Sequence, residues 1–309
     1  MSPDRMGVRW GLAGGVALPS IGAAMEMARF AELAGFDSFW ISQAAGIDPV
    51  VAMAVVGQAF PTIGELGTSI VPLYGRHPLA LAQLALTAQS ALQGRFTLGV
   101  GAASKWVAED KLGMSWDRPF SFTTEFINGM QPLLNGAPAH VEGDQLTTRA
   151  ELSIDAAPVP ILLAALGPRM LKFAGARVAG TTLGQCGPRT IREYVLPNLQ
   201  QGATDAGRTD RPRVMALVRV CVTDDRAGAY ALAKEISAFY QSFPSYRAVL
   251  ARERLNDPAD LHLIGSRQQV IDGLAEYARA GATDLRVEVA AHTERATQDT
   301  RQLLVDHLT

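Results

Sequence analysis

Several features are scarce in this 309-residue chain, and each scarcity excludes a class of function. There are two cysteines, Cys186 and Cys221, far apart and in no CxxC pattern. That argues against a disulfide scaffold or a thiolate metal site and leaves two reduced cysteines in or near strands. The five histidines, His77, His140, His262, His292 and His307, show no HxH, HxxxH or HExxH spacing, so no metal is expected. Lys and Arg total 28 against 30 Asp and Glu, a net charge of -2. No positive excess is there to neutralise phosphates, so nucleic acid is not an expected partner. No run reaches the roughly 18 apolar residues of a membrane span, so no membrane partner is expected either. Glycines interrupt the apolar part of the first twenty residues. That segment reads as a first strand and not a signal peptide, which makes a cytoplasmic protein the expectation. P-loop and G-x-S-x-G motifs are missing.

What the chain does have is alternation. Apolar strand-like runs fall at Val8–Ala13, Ser38–Ser42, Leu66–Val71, Phe96–Gly101, Ile161–Leu166, Thr181–Cys186, Val214–Val222 and Leu285–Ala290. Most are continuously apolar, as parallel strands covered on both faces should be. Helical stretches sit between them: Ile21–Ala34, Pro49–Phe60, Pro78–Leu92, Pro119–Leu134, Pro168–Ala179, Pro188–Ala206, Asp225–Tyr240 and Arg267–Ala280, with Glu294–Leu308 at the end. Many open on proline, whose missing N–H costs nothing in a first turn. The pattern predicts an α/β chain folded as one (β/α)8 TIM-barrel domain over 1–309, with a doubly wound sheet as the runner-up. Two segments break the repeat. Residues 138–155 read as a hairpin before the fifth strand. Residues 241–266 read as an added helix and loop before the last helix–strand unit, placed where insertions shape a barrel mouth.

Two helices are apolar nearly all round. In 49-PVVAMAVVGQAF-60 the one polar side chain is Gln58, and in 78-PLALAQLALTAQSAL-92 the polar positions form a narrow stripe. Such helices are buried on both sides. The expected covering is a second copy, a homodimer through 49–60 and 78–92; burial under the chain's own insertions is the alternative.

A TIM barrel carries its chemistry at the C-terminal ends of its strands. The candidates there are Gly14–Gly15, Gln43, Ser69–Ile70 with Tyr74, Arg76 and His77, Gly101 with Ser104, Lys105 and Trp106, Gly167–Pro168–Arg169, and Gln185–Cys186–Gly187. Few are carboxylates, which disfavours paired-carboxylate hydrolysis. The run 99-GVGAAS-104 matches half a dinucleotide fingerprint, or else marks a crowded strand exit where a flat ligand approaches the backbone. The run 164-AALGPRM-170 joins a strand end, a glycine turn and a helix start. Its free N–H groups beside Arg169 make an anion site, or it is a plain turn with a surface arginine.

The runs 35-GFDSFWIS-42, 66-LGTSIVPLYGRHPLALAQLALTAQSALQGRFTLGVG-101, 160-PILLAALGPRMLKFAG-175 and 263-LIGSRQQVIDGLAEYARAGATDLRV-287 resemble the bacterial luciferase-like superfamily. They most resemble its actinobacterial branch of oxidoreductases that use the deazaflavin coenzyme F420. The resemblance implies a dimeric TIM barrel with a planar (deaza)flavin across its mouth. It implies a non-proline cis peptide behind the ring at Ser69–Ile70. The turn Ala165, Leu166, Gly167, Pro168 and Arg169 would meet the cofactor and its phosphate-bearing tail. Gly101 and the residues after it, Ser104 among them, would line the ring or substrate side, and Gln185 counts among the cofactor contacts.

Two departures decide the expected chemistry. Where alcohol-oxidising relatives place Asp-His after the second strand, this chain has Gln43-Ala44, and where they place a Glu after the fourth, it has Ser104. Oxidising an alcohol needs a base for the hydroxyl proton, worth about 10²–10⁴-fold. Reducing an activated C=C or C=N bond needs mainly positioning. The expectation is therefore an F420-dependent reductase acting on a small organic substrate. Gln43 would hydrogen-bond the ring edge, Tyr74 and His77 would be proton donors, and Trp106, Phe243 and Tyr246 would contact substrate. An FMN-dependent monooxygenase and a non-catalytic flavin- or ligand-binding barrel are the alternatives.

Overall fold

The computed structural model describes residues 5–15 and 17–309. In chain order its strands are β1 Arg9–Ala13, β2 Ser38–Ile41, β3 Glu65–Thr68, the two-residue β4 Val71–Pro72, β5 Phe96–Gly101, the hairpin pair β6 Ala139–Glu142 and β7 Thr147–Ala150, β8 Ile161–Ala164, β9 Gly180–Leu183, β10 Arg213–Val222, the short β11 Leu263–Gly265 and β12 Asp284–Val289. Strands β1, β2, β3, β5, β8, β9, β10 and β12 neighbour one another in that order, β12 returns to β1, and the ladder closes as a (β/α)8 barrel. Closure rules out the open, doubly wound sheet.

One predicted strand is corrected. Leu66–Val71 is not continuous: β3 ends at Thr68, and β4 resumes at Val71. The interruption falls at Ser69–Ile70, whose peptide bond is cis. Both pieces pair with β5, Leu66 opposite Phe96 and Val71 opposite Val100. Helix Asp225–Tyr240 is shorter than expected, Arg226–Ser237, and a tight turn takes over at Ala238.

The chain divides into two compact units, one of Gly15–Ala28 and Trp40–Ala164, the other of Met1–Gly14, Arg29–Phe39 and Ala165–Thr309. In the first, helices Pro49–Ala59, Pro78–Ala91 and Pro119–Leu134 each begin on proline. Met53, Val56, Leu66, Leu81, Phe96, Leu98, Phe126 and Ile127 are fully buried. Side chains of this size are worth about 1.5–3 kcal/mol each when removed from water. The hairpin β6–β7 is antiparallel, as expected of 138–155. Its turn is held by Glu125, whose Oε2 accepts from the Gln145 and Leu146 N–H groups at 2.9 and 3.0 Å.

In the second unit β12 pairs in parallel with β1 and β10, and β10 with β9 and β11. Helix Pro168–Arg177 packs against Leu196–Asp205 so closely that a side chain at Gly175 or Gly202 would strike a backbone carbonyl, that of Leu199 or Lys172. The 241–266 insertion forms helix Pro244–Glu253, a turn at Pro258–Leu261 and β11. Among the described residues no helix is long and apolar enough to cross a membrane.

Candidate functional site

In the first unit the end of β2 and the β3–β4 break are tied together. The Ser69 N–H donates to Ile41 O at 2.9 Å and the Gln43 N–H to Ile70 O at 3.0 Å. Ser42 Oγ also donates to Ser69 O. On the other side Thr68 Oγ1 donates to Gly99 O at 2.8 Å and accepts from the Gly99 N–H at 3.0 Å. The cis bond is therefore pinned from both neighbouring strands. Gly101 stands beside it: a Cβ there would come within 2.8 Å of the Ile70 side chain and 3.1 Å of Ala164. A larger residue there would have to displace the end of the Ile70 side chain.

Gln43 has a fixed orientation. Arg76 Nη2 donates to its Oε1 at 3.0 Å and to Asp48 Oδ2 at 2.6 Å. A guanidinium only donates, so the carbonyl end of Gln43 must face it, and the amide N–H groups are left at the strand end. Asp48 is committed as well. Its Oδ1 caps helix Pro49–Ala59 by accepting from the Val50 and Val51 N–H groups at 2.9 and 3.2 Å. The nearest carboxylate in sequence is thus neutralised and engaged in structure.

Tyr74 is 3% exposed, stacks on Phe122 at 4.1 Å and meets the tilted Trp116 ring at 4.9 Å. Its hydroxyl meets no partner among the described residues. Burial, and then the Asp117 charge, push the phenol above its ordinary pKa, so it stays protonated. His77 caps helix Pro78–Ala91. Its Nδ1 accepts from the Leu79 N–H at 3.2 Å, so Nε2 carries the proton and donates to Thr147 O at 3.0 Å. Ser104 Oγ accepts from the Val107 N–H at 3.3 Å. Trp106 is 49% exposed, with the Lys111 ammonium 4.3 Å over its ring.

The second unit has two glycine–proline helix starts. At the first, Gly167 precedes helix Pro168–Arg177, no side chain caps the end, and residues 167–169 are exposed. A Cβ on Gly167 would meet nothing within 4 Å. Ala165 is buried and Leu166 half-buried. At the second, Gly187–Pro188, the Thr190 N–H donates to Glu253 Oε1 at 2.6 Å. The chain's own carboxylate fills that terminus, whereas among the described residues no side chain caps the start at Gly167. Within the second unit the helix start at Gly167, without a side-chain cap, suits a phosphate; within the first, the glycine at the end of β5 suits the close approach of a flat ring.

Gln185 is buried, and its Nε2 donates to Ser237 Oγ at 3.0 Å, which in turn pairs with His262 Nε2 at 2.9 Å. Burial drives the neighbouring Cys186 thiol far upward, so it is inert. Tyr246 and Phe243 belong to an aromatic group with Phe239 and Tyr240; Tyr240 and Tyr246 lie 4.7 Å apart edge-on. Tyr246 also reaches the turn after β9, because a Cβ on Gly184 would fall 3.0 Å from its hydroxyl.

A charged group that was not among the candidates lies beside them. Arg219 on β10 donates through Nε to Glu288 Oε2 on β12 at 2.9 Å, with Arg286 on the same strand. The signal was available: charges in the middle of otherwise apolar strands, 217-LVRVCV-222 and 285-LRVEV-289. Burying a charge is costly unless it is paired, so such a position asks for a partner. No cluster of metal-ligating side chains occurs among the described residues.

A family model described as luciferase-like monooxygenase matches residues 6–284. A Mycobacterium tuberculosis protein, whose name assigns it provisionally to the coenzyme F420-dependent oxidoreductases, is 29% identical over 282 residues, 85% of this chain and 79% of its own. The F420-dependent tetrahydromethanopterin reductase of Methanopyrus kandleri superposes with a TM-score of 0.82 at 22% identity, covering 98% of this chain and 99% of that one. The oxygenating constituent of 3,6-diketocamphane monooxygenase from Pseudomonas putida, solved with FMN, superposes with a TM-score of 0.75 at 19% identity, covering 96% of each chain. At such identities the two structures speak to fold.

Proposed function

This chain belongs to the luciferase-like monooxygenase family, whose model matches residues 6–284, and from that premise we propose an F420-dependent reductase of an activated C=C or C=N bond in a small organic molecule. The observation that carries the reading is the state of Gln43. Its carbonyl is held by Arg76, and Asp48 beside it is paired and capping, so the end of β2 offers hydrogen-bond donors and no base. At the end of β5 the resemblance expects a carboxylate, and this chain has the Ser104 hydroxyl, itself accepting from a backbone N–H. A site without a base suits hydride delivery to an acceptor better than removal of a hydroxyl proton.

Residues Ala165–Arg169 would hold the phosphate of the cofactor. Gly101, Ser69, Ile70 and Gln43 would face its ring, and Gln185 would contact it from the turn after β9. Reduced F420, when bound, supplies the hydride. The chain positions the acceptor: the Gln43 amide donates to an electron-rich edge, and Trp106, Phe243 and Tyr246 give apolar and aromatic surface. The accompanying proton is assigned to water, because the Tyr74 phenol is sealed in its stack and the His77 proton is committed to Thr147 O.

A second reading is an FMN-dependent monooxygenase, and its support is the likeness to the diketocamphane enzyme solved with FMN. Equilibrium titration with F420 and with FMN separates the two. Tight F420 binding and anaerobic turnover of an enone or imine are expected. Tight FMN binding without F420 binding would favour the monooxygenase, and tight F420 binding with no turnover of any acceptor would favour a binding protein. We further propose a homodimer through helices Pro49–Ala59 and Pro78–Ala91. The support is the pair of exposed apolar side chains Val51 and Val55, 50% and 45% exposed, on a helix whose one polar side chain is Gln58.

A further inference from the structure

Arg219 is 4% exposed, yet its guanidinium is incompletely matched. Nε donates to Glu288 Oε2 at 2.9 Å, Nη2 reaches the Tyr240 hydroxyl at 3.5 Å, and Nη1 is buried with no hydrogen-bond partner among the described residues. The Tyr240 ring stands beside the same guanidinium, 5.7 Å from ring centroid to Cζ. Such a group is expensive to bury and half-paired, and natural interiors rarely leave one so. A guanidinium fork matches the two oxygens of a carboxylate better than any other common partner.

The surroundings say which kind of molecule would bring that carboxylate. Tyr240 and Tyr246 stack edge-on beside Arg219, and Phe243 and Phe239 continue the aromatic surface along the insertion. Burial, and then Tyr240 and Cys186, push the Tyr246 phenol upward against the opposing pull of Arg219 and Arg286, so it is a donor. Arg286 lies within electrostatic reach; burial pulls it down to about 10, still charged at neutral pH. Glu288 is the acid paired with Arg219, and its side chain keeps 21% exposure, so the acid end of the pair reaches solvent.

We propose that Arg219 anchors the substrate through a carboxylate, with Tyr240, Tyr246 and Phe243 against the carbon skeleton: the substrate is a conjugated organic anion bearing an aromatic or similarly flat group. This rests on the reductase reading for its role but not for its detection. The cofactor also carries anionic oxygens, so the test must separate the two sources.

The test is isothermal titration calorimetry with cinnamate and cinnamamide, which share a skeleton and differ in charge, first on the cofactor-free protein and then with F420 at saturation. Wild type is expected to bind cinnamate at least about tenfold more tightly, the scale of one charge-assisted bidentate contact. The preference should survive F420 and vanish in Arg219→Gln. Glu288→Gln, which removes the negative charge competing for Arg219, is expected to tighten cinnamate further, and it keeps the idea testable if Arg219→Gln fails to fold. Equal affinity for the two ligands in wild type would overturn the proposal, as would a preference that Arg219→Gln leaves intact or a cinnamate affinity that Glu288→Gln weakens. A preference abolished by F420, together with an F420 Kd raised tenfold in Arg219→Gln, would assign the arginine to the cofactor instead. If F420 does not bind wild type but the cinnamate preference is present, the reductase reading fails and the anchor stands.

Discussion

Gln43 shows how much a single side chain depends on partners distant in sequence. Its position after the second strand was readable, and so was the missing acid–base pair. Its orientation was not, because Arg76 lies 33 residues further on. Replacing Arg76 with Ala frees the Gln43 amide to turn and leaves Asp48 without its ion-pair partner. We expect a loss of about 1–2 kcal/mol in urea unfolding, since the pair is partly exposed, and a larger rise in KM for the acceptor than fall in kcat. An unchanged KM would contradict the positioning role. His262 yields a prediction with a definite sign. Burial, and then the Arg219 charge, push it from 6.5 to about 3, so the folded protein keeps it neutral while the unfolded chain takes up a proton below about 6.5. Stability is therefore lost as pH falls from about 6.5 toward 3, at no more than about 1.4 kcal/mol per pH unit from this group. Between pH 7 and 5 the unfolding free energy of wild type should fall more than that of His262→Asn; equal losses would show that His262 does not titrate as described.

At the scale of elements, the Gly-Pro helix starts after β8 and β9 look alike in sequence and differ in structure. Glu253 closes the second from the end of the inserted helix, 63 residues away from Thr190. Glu253→Ala should destabilise by about 1–2 kcal/mol, the worth of an N-terminal cap. A neutral result by thermal or urea unfolding would mean that solvent replaces the carboxylate without cost. Most strands were legible because parallel barrel strands, covered on both faces, are uninterrupted apolar runs. The β3–β4 break was not legible from periodicity, since 66-LGTSIV-71 reads as one run, and only the family resemblance pointed to Ser69–Ile70. The three-residue β11 was also missed, being too short to leave a pattern. The apolar helices give the fourth prediction. Val51→Glu with Val55→Glu puts two charges at the exposed apolar pair. Wild type should run in light scattering at twice the chain mass of 33.0 kDa, and the double variant at that mass. A monomeric wild type would contradict the dimer.

For the whole molecule, the barrel follows from alternation that any reader of the sequence can see, and the chemistry follows from long-range pairs that no reader can. Arg219 and Glu288 are 69 residues apart, and register between β10 and β12 sets them opposite each other. Composition excluded metals, nucleic acid and membrane spans as expectations. It did not distinguish oxidation from reduction, because that choice depends on which side chains remain uncommitted at the strand ends. On the proposed reading no base stands where alcohol oxidation would need one. That absence is tested most directly by mixing the protein anaerobically with reduced F420 and a panel of enones and imines, and in parallel with oxidised F420 and a panel of primary and secondary alcohols, following the cofactor's absorbance. Reoxidation of F420 by at least one enone or imine, and no reduction of F420 by any alcohol, is expected; brisk reduction by an alcohol, with every acceptor inert, would contradict the reductase reading.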